Sequence, residues 1–328
     1  MAEEIRLCMI GAGRHASKNI YPCFRFLERA HVVANCDLDE ERARVQARLH
    51  GIPTSYTDYQ QMLDTERPDG VLVCVGPDFH AQAAIDLMEQ SYNVYTEKPP
   101  AVTAEQCRQV LTVQQRTGKL CMTAFKKRYA PAYVKTKAII HGSDFGEPAL
   151  LSILRTSGHY RNVDDPRSQY ILDSAIHAVD LAAYLFGHVA SVSAAKKSPA
   201  NYAVRLQFAN GSVGTLSLTD RMSYRRGWEQ TTVIGTEGVC VQVDNSVEML
   251  AFKFDQPIAA HKPEFVAGNS RSLVEMGFVP ELQAFVEAIA CGRQPASNIQ
   301  ESTHTMAIIE AVQRSTESGT VVEVQTAS

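Results

Sequence analysis

The segment Gly11-Ala12-Gly13-Arg14-His15-Ala16 follows an apolar run, Ile5–Ile10, and precedes a predicted helix. In this GxGxxA pattern the first glycine permits a tight turn and the second lets a diphosphate approach the backbone. The alanine allows the helix to pack closely on the strand. The free amides at the helix start then face the phosphates. A strand, a glycine turn and a helix in this order predict the first βαβ unit of a dinucleotide-binding sheet.

Strands and helices continue to alternate after this unit. Further apolar runs predict strands, and amphipathic segments between them predict helices. The strands are His31–Cys36, Gly70–Val75, Asn93–Tyr95 and Leu120–Phe125, and the helices are Glu40–His50, His80–Gln90 and Thr103–Thr117. Thr103 followed by Gln106 is a capping-box pattern. The alternation predicts an α/β domain with a doubly wound parallel sheet, a Rossmann domain, over residues 1–125.

Strand-type runs dominate from residue 126 onward, which predicts a second domain over residues 126–328. Its strands are predicted at Ala149–Ser157, Val189–Ala195, Tyr202–Phe208, Ser212–Thr219, Gln230–Ile234, Val239–Val243, Val247–Phe254 and Val321–Val324. Helices are predicted at Tyr133–His141, Ile171–Phe186, Val279–Ala290 and Glu301–Glu317. Asn210-Gly211 is a hairpin signal. We therefore expect a C-terminal α+β domain with a large, mostly antiparallel open sheet.

Asp37 stands at the end of the second predicted strand. A carboxylate at this position accepts hydrogen bonds from ribose hydroxyls and repels a 2′-phosphate, which favours NAD over NADP. The alternative is that Asp37 only caps the next turn. Arg42 and Arg44 lie nearby in the sequence and leave some tolerance of NADP open.

Composition excludes several classes of protein. The 328 residues are 45% hydrophobic with a net charge of −4, which is typical of a globular chain and indicates neither a nucleic-acid nor a membrane partner. The N-terminus carries acid where a signal peptide needs base. The eight cysteines form no CxxC pair and several lie in apolar runs. We expect a reducing, cytoplasmic location and no metal site.

Two further motifs carry a family resemblance. Gly76-Pro77-x-x-His80 and Glu97-Lys98-Pro99 end the third and fourth predicted strands, at the edge where such sheets bind ligands. Asp173-x-x-x-His177 lies on the predicted helix Ile171–Phe186. With these motifs the chain resembles the glucose–fructose oxidoreductase/inositol dehydrogenase/MocA family over nearly its whole length.

The resemblance implies an NAD-dependent dehydrogenase that oxidises a secondary hydroxyl of a sugar, a sugar derivative or a cyclic polyol. Asp173 and His177 share a helix face, so the carboxylate can orient an imidazole that takes the hydroxyl proton. Lys98 is expected to stabilise the reacting oxygen. The expected cofactor contacts are Gly11, Gly13, Arg14, His15, Asp37, Gly76, Pro77, His80, Glu97 and Lys98.

The expected substrate-facing segment departs from the family pattern. It reads Lys126-Lys127-Arg128-Tyr129, where family members commonly have Asn-Arg-Arg-Phe. With Tyr160 and Arg161, these three cations are candidate substrate ligands for an anionic sugar. The alternative is a solvated run of charge.

The motifs leave two other functions open. One is a redox-neutral glycosidase that retains NAD and oxidises C3 transiently, and the other is a non-catalytic NAD-binding protein. Retention of Lys98, Asp173 and His177 favours catalysis over the second. The resemblance also implies a homodimer or homotetramer formed through the C-terminal sheet.

Overall fold

The computed structural model describes residues 4–159, 169–223, 228–264 and 271–325. The chain divides into two compact units. The first unit comprises Met1–Ala124 and Phe278–Ser302, and the second comprises Phe125–Gly277 and Thr303–Ser328. The sequence analysis placed one boundary at residues 125/126. The observed division differs, because the chain returns to the first unit for one late helical segment.

The first unit contains a six-stranded sheet in which every neighbouring pair is parallel. Its strands are β1 Ile5–Ile10, β2 Ala30–Cys36, β3 Thr54–Tyr56, β4 Gly70–Val73, β5 Asn93–Thr96 and β6 Cys121–Thr123. They lie in the order β3-β2-β1-β4-β5-β6. All residues of β4 are buried, as expected for a central parallel strand covered on both faces. The predicted Rossmann architecture is confirmed, and β3 was missed.

The helices Glu40–His50, Tyr59–Glu66, Pro77–Glu89 and Ala104–Thr117 connect strands of this sheet. A wide helical turn, Ala16–Ile20, and a tight one, Tyr21–Phe26, lie between β1 and β2, and the helix Phe278–Cys291 joins the unit from late in the chain. The capping box is confirmed, since the Thr103 side chain accepts from the Gln106 amide and the Gln106 side chain returns to the Thr103 amide. Tyr59–Glu66 was not predicted.

The helix Phe278–Cys291 completes the first unit because its apolar face packs there. Leu282, Phe285 and Val286 are buried on this helix. The hydroxyl of the buried Tyr95 in β5 donates to Glu281 Oε2 at 2.9 Å. These contacts give the physical reason for the return of the chain to this unit.

The second unit contains a nine-stranded sheet in the order β14-β13-β12-β11-β7-β10-β9-β8-β15. Its strands are β7 Pro148–Gly158, β8 Val189–Ser198, β9 Asn201–Phe208, β10 Val213–Met222, β11 Glu229–Gly235, β12 Val239–Asp244, β13 Glu248–Lys253, β14 Gln256–His261 and β15 Val322–Glu323. Only β7 and β10 pair in parallel. The mostly antiparallel sheet and the Asn210-Gly211 hairpin between β9 and β10 are confirmed. The exposed edge strand β14 was missed.

The helices of the second unit are Pro131–Ile140, Ile176–Phe186 and Arg271–Glu275, with helical turns at Lys126–Tyr129 and Ile171–Ala175. The long helix Ile299–Ser318 begins in the first unit and continues through the second. Nearly every residue of Ile176–Phe186 is buried, which agrees with its apolar composition. Within the described ranges, no helix is both long and apolar enough to cross a membrane.

The imidazole of His304, on the helix Ile299–Ser318, is half-buried and makes defined contacts in the second unit. Its Nε2 accepts from the Val189 amide at 3.1 Å, and its ring stacks on His188 with centroids 4.0 Å apart. Burial, with His188 and Arg128 nearby, lowers the pKa of His304 to about 4. The neutral form is therefore the one that fits the folded second unit.

This arrangement predicts a loss of stability in mild acid. Histidine in the unfolded chain has a pKa of about 6.5. Between this pH and the lower pKa of folded His304, the unfolded chain therefore binds a proton that the folded chain does not. The free energy of unfolding should fall by about 2 kcal/mol between pH 7 and pH 5 through this group. His304→Gln keeps an acceptor for the Val189 amide, and should remove that part of the pH dependence in denaturant titrations. The same change at exposed His141 should leave it in place.

Candidate functional site

The two glycines of the first loop have different requirements. Gly11 has φ +104°, and a Cβ there would lie 2.1 Å from the Cys74 carbonyl oxygen. The fold itself therefore requires glycine at position 11. A Cβ at Gly13 would meet no atom within 4 Å. Glycine at position 13 instead leaves space in front of the loop, as a bound diphosphate requires.

Asp37 is tied to this loop at the end of β2. Its Oδ2 accepts from the Ala12 amide at 2.7 Å, and its Oδ1 accepts from the Asp39 amide at 2.9 Å. The Arg42 guanidinium lies 3.4 Å from Oδ1. Asp37 thus caps the next turn and also holds the glycine loop, which combines the structural role with the position expected for ribose recognition. These residues fit a dinucleotide with free ribose hydroxyls.

The Glu97-Lys98 pair follows β5 and faces the helical turns that start at Arg14. His15 Nδ1 accepts a hydrogen bond from the side-chain amide of Asn19. This leaves Nε2–H to donate to Glu97 Oε1, at 3.0 Å. Burial raises the pKa of Glu97, but His15, Lys98 and His80 outweigh it and bring that pKa below its ordinary value. Glu97 is therefore an anion held next to half-buried Lys98.

His80 holds the other side of this segment. Its Nδ1 donates to the Pro99 carbonyl at 2.7 Å, and burial lowers the pKa of its imidazole. Gly76 is the N-cap of the helix Pro77–Glu89, which begins three residues before the predicted start because proline suits the first helical position. The structure thus places the expected cofactor residues near the carboxyl edge of the first unit's sheet.

The helical segment of the second unit carries the expected acid–base pair. Asp173 lies in the wide, π-type turn Ile171–Ala175, and His177 lies in the first turn of Ile176–Phe186. Either helix geometry keeps residues four apart on one face. Asp173 is partly exposed and His177 is buried. The His177 ring meets Phe125 edge-on, with centroids 6.4 Å apart.

The structure corrects the expectation that Lys127 and Arg128 are substrate ligands. The Arg128 guanidinium donates to both carboxylate oxygens of Asp180, with Nη2 2.7 Å from Oδ1, and both side chains are buried. Lys127 is buried on Glu229. Lys127 and Arg128 therefore do not form a solvent-facing substrate surface, because each charge is balanced inside the unit. Lys126 is half-buried in the same turn. Tyr160 and Arg161, the other two candidate substrate ligands, lie outside the described residues.

Sequence reasoning missed the partner of these cations. Glu229 opens β11 and is buried among Lys127, Tyr133, Arg155 and Ser246. Burial works against its charge, but Lys127 and Arg155 outweigh it and lower the pKa of this carboxyl. The one signal in the sequence was an acid opening a strand of otherwise polar and apolar alternation.

Family models match both parts of the chain. A model described as "Oxidoreductase family, NAD-binding Rossmann fold" matches residues 5–125. A second, described as "Oxidoreductase family, C-terminal alpha/beta domain", matches residues 159–324. These matches confirm the resemblance inferred from the motifs and the predicted cofactor, NAD.

Similar proteins cover almost the whole chain. The uncharacterized oxidoreductase YrbE of Bacillus subtilis is 24% identical, with 99% of this chain and 98% of that protein covered. The scyllo-inositol 2-dehydrogenase (NAD(+)) of Bacillus subtilis is 23% identical, with 98% and 97% covered. A levoglucosan dehydrogenase solved with NADH and L-sorbose has a TM-score of 0.86 at 19% identity, covering 99% of this chain and 100% of that one. That structure shows the same fold.

The two glycines predict two separable defects. Gly13→Ala places a methyl group in the space before the loop, and should weaken NAD binding at least tenfold, about 1.4 kcal/mol, with unfolding unchanged. Gly11→Ala forces a Cβ onto the Cys74 carbonyl, and should lower the free energy of unfolding by about 2 kcal/mol. Calorimetric titration with NAD and denaturant unfolding measure these effects. Equal effects of both substitutions on NAD affinity and stability would contradict the assignment.

Proposed function

The chain belongs to the glucose–fructose oxidoreductase/inositol dehydrogenase/MocA family of oxidoreductases, and we propose that it oxidises a secondary hydroxyl of a neutral sugar or cyclic polyol with NAD. The observation that carries this proposal is the Asp173–His177 helix face in a chain that also presents Lys98 at the edge of an NAD-binding sheet. An acid–base pair and a cation are the groups that alcohol oxidation needs.

Each residue has a defined task in the proposed reaction. His177 accepts the hydroxyl proton, and Asp173 orients the imidazole and stabilises its charged form. Lys98 donates a hydrogen bond to the reacting oxygen and stabilises its negative charge. Glu97, held by His15, fixes the backbone at Lys98, whose amide donates to Glu97 Oε2 at 3.1 Å. NAD supplies the hydride acceptor when it is bound.

The pairing of three cations in the described part of the second unit favours a neutral substrate over an anionic one. Lys127 and Arg155 share Glu229, and Arg128 is paired with Asp180. A guanidinium or ammonium already balanced by a buried carboxylate has little remaining attraction for a substrate carboxylate. The names of the similar proteins, an inositol dehydrogenase and a levoglucosan dehydrogenase, agree with an uncharged polyhydroxy substrate.

A substrate screen tests this proposal. Scyllo-inositol, myo-inositol, levoglucosan, glucose and glucuronate are each incubated with the enzyme and NAD, and NADH is followed by absorbance. We expect NADH to accumulate beyond the enzyme concentration with a neutral polyol. Turnover of a glycoside without net NADH would indicate the glycosidase instead. Activity with glucuronate alone would contradict the neutral-substrate proposal.

Substitutions in the proposed site give a second test. Lys98→Met and His177→Gln should each lower kcat by about 10²–10⁴-fold on the substrate found by the screen, because each removes a group that acts in the transition state. Lys119→Met is a matched control, because this lysine precedes β6 and so lies at the amino end of a strand, whereas Lys98 follows the carboxyl end of β5. Wild-type kcat in Lys98→Met or His177→Gln would overturn the assigned roles.

The sheet of the second unit also carries a row of exposed or half-exposed apolar residues. Leu150 is 41% exposed, and register places it beside Ile234, which in turn neighbours Cys240 and then Phe252. The last three are half-exposed, while Leu151 and Val233 on the opposite face are buried. We propose that a second copy of the chain covers this apolar row, as a homodimer or homotetramer.

Light scattering coupled to gel filtration tests this surface. Burying charge in an interface core without a partner is strongly unfavourable. Leu150→Glu combined with Ile234→Glu should therefore reduce the mass from two or four chains to one, while thermal unfolding remains cooperative. Thr215→Glu, nearer the centre of the same sheet, compares a polar position with the apolar row. A wild-type protein with the mass of one chain would exclude the assembly.

A further inference from the structure

Glu229 accepts hydrogen bonds from several elements of the second unit at once. Its Oε1 accepts from Lys127, from the Tyr133 hydroxyl at 3.0 Å and from the Ser246 hydroxyl at 2.8 Å. Its Oε2 accepts from Arg155. The side chain is buried, so this carboxylate fixes its donors in one arrangement rather than exchanging them with water.

Arg155 extends this arrangement to the helical segment of the acid–base pair. While NH1 donates to Glu229, Nε donates to Ser174 Oγ at 3.2 Å. The backbone carbonyl of Arg155 also accepts from the Tyr170 hydroxyl at 3.2 Å. One residue of β7 thus holds both Tyr170 and Ser174, on either side of Asp173 in the chain. The planar guanidinium suits such a bridge because its donors have a fixed relative geometry.

Lys127 connects the same carboxylate to a second neighbour of that helix. It lies in the turn Lys126–Tyr129, two residues after Phe125, whose ring meets the His177 ring edge-on. Lys127 Nζ also donates to Ser246 Oγ at 3.0 Å, which fixes the ammonium on the Glu229 side. Glu229 therefore anchors both segments through which Asp173 and His177 are held.

We propose that Glu229 is a positioning residue for the Asp173–His177 face, and that it acts through Arg155 and Ser174. This inference rests on the proposed function, because it deepens the role of that helix face. Glu229 touches neither Asp173 nor His177 in this scheme. It sets the Arg155 guanidinium, whose bond to Ser174 maintains the wide turn in which Asp173 lies. Wide turns of this type are often found at functional sites.

A role in stability alone would have different consequences. Replacing a buried ion pair by other side chains changes the free energy of unfolding without a necessary effect on the active molecules that remain folded. Positioning instead predicts a change in turnover by folded enzyme, because displacement of a proton acceptor by about 1 Å costs up to about 10²-fold in rate. The two roles can therefore be separated by measuring kcat and KM of folded variants, and by measuring hydrogen exchange of the backbone amides around Asp173.

The experiment compares Ser174→Ala, Glu229→Gln and their combination with Thr231→Val. Thr231 belongs to the same buried network through the Tyr133 hydroxyl, at 3.0 Å, but on the side away from Arg155. Glu229→Gln should lower kcat by about 10–100-fold and Ser174→Ala by about 5–10-fold, with KM for the polyol within about threefold. The double variant should match Glu229→Gln, because both substitutions break one path. Thr231→Val should keep the wild-type kcat.

Hydrogen–deuterium exchange supplies the readout that does not depend on activity. Amides of residues 171–177 should exchange about tenfold faster in Ser174→Ala and Glu229→Gln than in the wild type or Thr231→Val. If Glu229→Gln does not fold, Ser174→Ala carries the same test, because it leaves every buried charge in place. Unchanged exchange in folded Ser174→Ala, or wild-type kcat in both path variants, overturns the inference. An enzyme that reduces NAD with no polyol would refute the proposed function, and exchange alone would then decide the positioning role.

Discussion

A carboxylate taken out of water needs cations or hydrogen-bond donors around it, and three of the buried acids in the described residues show how this requirement acts on the chain. Glu97 is held by His15, Asp180 by Arg128, and Glu229 by Lys127 and Arg155. Leaving such a group unpaired costs roughly 3–5 kcal/mol, so these pairings determine where their partners lie. Two residues near the proposed reaction are tied to these acids by hydrogen bonds or by their place in the chain. Lys98 follows Glu97, and Ser174 is bound by the partner of Glu229.

The same requirement determines which cations remain for other tasks. Arg155, Lys127 and Arg128 are basic residues of the second unit, and each is paired with a carboxylate of that unit. A local count of charge along the chain therefore overstates the positive potential available to a substrate. Lys98 is different, because its charge supports a buried acid from a half-exposed position at a strand end.

How far the sequence predicts this structure depends on whether the signal is local. The glycine loop, the capping box and the Asn210-Gly211 hairpin are all found where expected, since each is determined by a few neighbouring residues. The three-residue strand β3 has no apolar run, and the exposed edge strand β14 contains a proline, so neither strand was predicted. Lys127 was misread for another reason, because its partner lies 102 residues away. The return of Phe278–Cys291 to the first unit was also missed, since it depends on Tyr95, 186 residues from Glu281.

The proposed acid–base pair shows how a local motif and distant contacts combine. Spacing of four residues places Asp173 and His177 on one helix face in either an α or a wider turn, so the motif alone predicts the pair. It does not determine the turn itself, which has lower intrinsic stability than regular α-helix and persists where tertiary contacts support it. Those contacts come from Arg155. Its side chain donates a hydrogen bond to Ser174, and its backbone carbonyl accepts one from the Tyr170 hydroxyl. Arg155 therefore bonds residues on both sides of Asp173 from outside the helix, and under the proposed function a substitution there alters the geometry of the Asp173–His177 face.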